Sequence, residues 1–118
     1  MTRRPDNSPA ATLLFGFTHR DMDAARRAVE QCLGIELAPH HSLYSGDHYR
    51  GEAGSGREVE LRRNMDPLFD SKADAPEDRF AEPDFPDSHL LLYVHGQDLG
   101  ATGQTLLRIA GIVELRME

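Results

Sequence analysis

Four side chains suited to metal binding or proton transfer, His40, His41, Asp47 and His48, lie within nine residues. Imidazole and carboxylate are ordinary ligands for zinc and ordinary acid–base groups. Their spacing argues against a shared site. On an extended chain the adjacent His40 and His41 point to opposite faces, and no Cys pair or HExxH-like helix completes a ligand set. The stretch is expected to be a solvated hairpin, with no metal and no cofactor. His89 and His95 bracket an apolar run, where histidine serves as its polar ends. His19 has no nucleophile beside it.

The remaining candidates for chemistry are weaker still. Cys32 falls on the apolar stripe of a helix, the setting of an inert thiol. The glycine-rich fragment GEAGSGRE matches neither a phosphate-binding loop nor the strand–loop–helix context such a loop needs, and reads as a turn. The paired carboxylates Glu82 and Asp84 would need environments that drive their pKa values apart, which an exposed proline-rich segment does not supply. The chain is therefore expected not to be an enzyme.

The elements around these residues follow from periodicity. Residues 12–18 alternate Leu13, Phe15 and Phe17 with Leu14, Gly16 and Thr18, a strand pattern. From Asp21 onwards Met22, Ala25, Val29, Cys32 and Leu33 form one helical stripe, with Thr18 or Asp21 to cap it and Gly34 to end it. A brief strand is expected at 35–37, a longer one at 42–52, and a partner at 58–62 across a Gly-rich turn. Residues 90–94 are continuously apolar, as in a strand buried on both faces. A second helix at 97–110 is interrupted by Gly100 and Gly103, and a last alternating strand runs over 112–117. Strand, helix, strands, helix, strand in this order predicts an α+β domain. The expected fold is a two-layer ferredoxin-like sandwich whose mixed or antiparallel sheet carries both helices on one face.

Between residues 65 and 88 the composition changes. Eight carboxylates face only Lys72 and Arg79, so nearly all of the net charge of −7 lies here, together with Pro67, Pro76, Pro83 and Pro86. A regular helix or central strand is excluded by those prolines. Leu68, Phe69, Phe80 and Phe85 imply that the segment packs on the domain. The 118 residues thus divide into a disordered tail at 1–10 and one domain at 11–118 with an acidic insertion at 65–88. Such acidity disfavours nucleic acid as a direct partner and favours a basic protein. Without a long apolar run or paired cysteines, the expected location is the cytoplasm.

Three stretches, residues 42–50 (SLYSGDHYR), 59–64 (VELRRN) and 81–94 (AEPDFPDSHLLLYV), together resemble bacterial immunity proteins of polymorphic toxin systems, including contact-dependent growth inhibition. The resemblance spans roughly the middle half of the chain, and AEPDFP is its most specific part. It implies a stoichiometric inhibitor that binds the C-terminal domain of a cognate toxin, often a nuclease, and occludes its active site. It supplies no contact residues. Chemistry suggests Asp47 and Tyr49 on the hairpin and Asp66, Asp70, Glu82, Asp84 and Asp87 in the acidic segment, with Phe85 as apolar anchor. The alternatives are a small-molecule sensor, or a subunit that self-associates through an open sheet face.

Overall fold

Alternation of Leu13, Phe15 and Phe17 produces strand β1 (Ala11–Phe17), whose large side chains on one face are buried in the core shared with both helices. The computed structural model describes residues 10–18, 21–54 and 56–117, so the expected tail, apart from Ala10, and His19 lie outside them. After β1 come α1 (Met22–Leu33), β2 (Ala38–Ser42), β3 (Gly46–Glu52), β4 (Glu58–Arg63), β5 (Leu90–Gly96), α2 (Gly100–Leu106) and β6 (Ile112–Met117). The six strands make one sheet in the order β2-β3-β4-β5-β1-β6, and every neighbouring pair is antiparallel. The domain is therefore α+β, a sheet layer with a helix layer, and its sheet is antiparallel throughout.

Local chemistry sets the helix ends. The Asp21 carboxylate accepts the Ala24 N–H at 3.2 Å, and Gly34 ends α1 at φ 66°, a left-handed conformation that glycine adopts without strain. Met22, Ala25 and Val29 of α1 join Leu99 and Leu106 of the α2 region against Phe15, Leu61, Leu92 and Val94. Each such aliphatic or aromatic side chain contributes ~1.5–3 kcal/mol on burial. The second helix is shorter than its expected span of 97–110. Past Leu106 the chain tightens, with the Arg108 and Ile109 N–H groups reaching back three residues to Thr105 and Leu106.

The hairpin region departs from expectation. Residues 35–37 are irregular, and the strand forms one step later as β2. The expected strand at 42–52 is broken by a turn at 43–45, leaving β3 to pair with both β2 and β4. Pro39 is accommodated because β2 is the sheet edge and needs no donor on its outer side.

Strand β5 is interior, between β4 and β1, and is buried on both faces. Leu90, Leu92 and Val94 meet the core beneath the helices. Leu91 and, beside it on β1, Leu14 are also buried but belong to the opposite face. No described helix is long and apolar enough to cross a membrane.

Candidate protein-contact face

Leu14 and Leu91 need a cover on the face that carries no helix, and residues of the acidic segment supply it. Gly16, opposite Leu91, lies directly beneath Ser88: a Cβ added there would come within 2.8 Å of the Ser88 Cβ and 2.9 Å of Leu115 Cδ1. Only glycine permits this approach. Arg116 and Tyr93, the two register partners of Leu14, then reach up to Glu82. The Arg116 guanidinium donates to both Glu82 oxygens at 2.9 and 3.3 Å, and the Tyr93 hydroxyl donates to Oε2 at 2.6 Å. Phe85 lies 5.9 Å from the same guanidinium. Burial, and then the Glu82 carboxylate it bonds, raise the Tyr93 phenol well above its ordinary range.

Asn64 fixes the backbone of this cover. Its side-chain amide donates to the carbonyls of Phe85 at 2.9 Å, Ser88 at 3.0 Å and Glu82 at 3.5 Å, while its Oδ1 accepts the Glu82 N–H at 2.8 Å. One buried side chain at the end of β4 therefore sets the course of residues 82–88. Earlier in the segment, the Asp66 N–H donates to the Arg79 carbonyl at 2.8 Å. Asp66, Asp70 and Asp74 each use a carboxylate oxygen to close a turn, accepting from the N–H groups of Leu68, Lys72 and Asp70 at 2.9 Å.

Buried Arg62 joins this segment to the β2–β3 turn. Its guanidinium donates to the Met65 carbonyl at 3.0 Å, the Tyr44 carbonyl at 3.5 Å and Ser45 Oγ at 3.4 Å. Around that staple four large apolar side chains stand in solvent: Leu43, Tyr44, Met65 and Leu68, with Tyr44 74% exposed. Asp47, the second residue of β3, stands just beyond the turn, exposed and bonded to His41 at 2.8 Å.

The eight residues expected to contact a partner are thus divided. Asp47, Asp70, Asp84 and Asp87 are exposed, and Asp66 is half-buried. Phe85 is half-buried beneath Arg116. Tyr49 turns to the helix side, against the core, with Arg26 stacked over its ring at 5.0 Å. Glu82 is an internal ligand of Arg116 and Tyr93, its side chain 16% exposed. The histidines do not converge. His48 is buried with Nδ1 donating to the Gly46 carbonyl at 2.9 Å, and His40 stacks on its ring at 5.9 Å. Among the described residues no group of three His, Cys, Asp or Glu side chains is placed to hold an ion.

Sequence reasoning missed Asn64, Arg62, Tyr93 and Arg116 as organisers of the face, and Leu43, Tyr44, Met65 and Leu68 as its exposed apolar residues. One signal was available. Arg62 and Tyr93 occupy strand positions that alternate with helix-facing residues, so both had to meet whatever covers the other face. Arg116 carried no such signal, because it is an even number of residues from core-facing Ile112 and a register shift in the β1–β6 pairing brings it to the covered face. Comparison of the chain with protein-family models and with curated proteins gave no match to either.

Proposed function

We propose that the chain is a stoichiometric inhibitor of the bacterial immunity type, which binds a basic toxin domain and blocks its active site. The contact surface in this reading is the outward side of the acidic segment together with the turn at 43–45. One observation carries it: a strongly anionic surface whose backbone is already fixed. Asp70, Asp74, Asp78, Asp84 and Asp87 are exposed on a segment tied down by Asn64, Glu82 and Arg62. A fixed surface loses little conformational freedom on binding, its field speeds encounter with a cationic partner, and Leu43, Tyr44, Met65 and Leu68 supply apolar anchors.

A nuclease with a cationic substrate cleft is the target class best matched by that field. Catalysis by this chain itself forms no part of the proposal, and its cytoplasmic location is inferred from the unpaired Cys32. The fold reading that accompanies it is a ferredoxin-like unit, β4-β5-β1-β6 with a helix after β1 and after β5, widened by the β2–β3 strands.

The test is co-expression with the domain encoded immediately upstream of this gene. The expected result is that the neighbour arrests growth alone, that this chain restores growth, and that the two purify as a 1:1 complex. A harmless neighbour, or a toxic one that this chain neither rescues nor binds, overturns the reading.

A further inference from the structure

Where the acidic segment leaves the end of β4 and returns to β5 it encloses a cleft of about 430 Å³. The composition of its walls is the reverse of the segment's own. Although eight carboxylates lie in the stretch that forms it, none lines the cleft among the described residues. Two arginines do, Arg63 from the end of β4 and Arg79 from the segment. Neither pairs with a carboxylate among the described residues. The Arg79 guanidinium instead lies 4.7 Å over the Phe80 ring, a contact that positions the cation while leaving its N–H donors available.

The remaining walls combine apolar and polar side chains. Phe80, Pro86, Leu90 and the flexible thioether of Met65 give an apolar surface. Ser88 and His89 contribute polar edges, and the Asn64 amide is already saturated by backbone partners. Clefts that hold small organic ligands run from roughly 300 to 1,000 Å³ and combine a mostly apolar wall with a few polar groups.

We propose that this cleft binds a small organic anion, a carboxylate carrying one aromatic ring system or a short alkyl chain. The carboxylate lies between Arg63 and Arg79, and the apolar body rests on Phe80, Pro86 and Leu90. Asp66, Asp78 and Asp87 are chain neighbours of the walls but do not line the cleft, so an anion inside it meets the two arginines first. The site stands independently of the inhibitor reading and needs no protein partner.

The probe is 1-naphthoate, titrated into the purified full chain and followed by amide chemical shifts, with the neutral isostere 1-naphthamide alongside. Saturable shifts confined to Arg63, Arg79, Phe80, Ser88, His89 and Leu90 are expected, with the amide binding roughly tenfold more weakly. Arg63→Glu and Arg79→Glu, both at exposed positions, are each expected to weaken naphthoate by a similar factor. Arg27→Glu on the exposed side of α1 changes net charge equally and is expected to leave binding unchanged. The proposal is overturned if naphthoate gives no saturable shift at millimolar concentration. Equal binding of naphthamide, or equal weakening by Arg27→Glu, also overturns it.

Discussion

Asn64 and Glu82 show how one carboxylate and one amide convert a proline-rich stretch into a fixed surface. Replacing Asn64 with alanine takes away the partner of the Ser88 carbonyl and of the Glu82 N–H, and leaves the Glu82 and Phe85 carbonyls with only the backbone N–H groups of Phe85 and Ser88. A loss of about 2 kcal/mol is expected in urea denaturation, with faster chymotryptic cleavage after Phe80. An unchanged cleavage rate would show that Asn64 does not hold the segment. Tyr93 makes a second claim testable. Its folded-state phenol titrates above the ordinary value of 10.0, so its contribution is complete below pH 10 and is lost as pH climbs towards the raised folded value. Wild type should therefore lose stability above pH 10 more steeply than Tyr93→Phe, and parallel alkaline limbs would contradict the assignment. From sequence Glu82 was indistinguishable from Asp84 and Asp87. Its partners lie 11 and 34 residues away, and only the fold brings them to it.

Among the elements, those with a strong period were legible and those defined by their neighbours were not. β1, α1, β4, β5 and β6 follow directly from the alternation or stripe of Leu, Phe, Val and Met. The polar strand β2, with Pro39, His40 and His41, carries no such signal, because an edge strand is held by pairing with β3 rather than by burial. That the acidic segment covers one sheet face was legible only in outline, through its phenylalanines. Gly16 is the position where cover and sheet interlock. Gly16→Val places side-chain atoms where Ser88 and Leu115 stand, and overpacking of this kind typically costs ~1–3 kcal/mol. Because β1 pairs from both sides, the expected readout is a lowered unfolding midpoint together with loss of amide protection at Ser88 and His89. Retained protection at both amides would contradict the interlock.

For the whole molecule, charge distribution dominates. Nearly all of the net −7 lies in one covering segment, and the interior pair of Glu82 with Arg116 removes only one carboxylate from its outward field. The charge bias was evident in composition alone. The apolar residues that share its surface were not, since Leu43, Tyr44 and Met65 gather only through the Arg62 staple. The two contributions should separate kinetically, with Tyr44→Ala speeding dissociation and reversal of Asp84 and Asp87 to lysine slowing association. The most direct measurement is the association rate constant with the upstream-encoded domain as a function of salt, for wild type and for the Asp84→Lys, Asp87→Lys double variant. A wild-type rate that falls steeply with ionic strength is expected, and a double variant that is slower and flatter. A salt-independent wild-type rate, or identical profiles for the two proteins, would contradict the claim that this anionic face captures its partner.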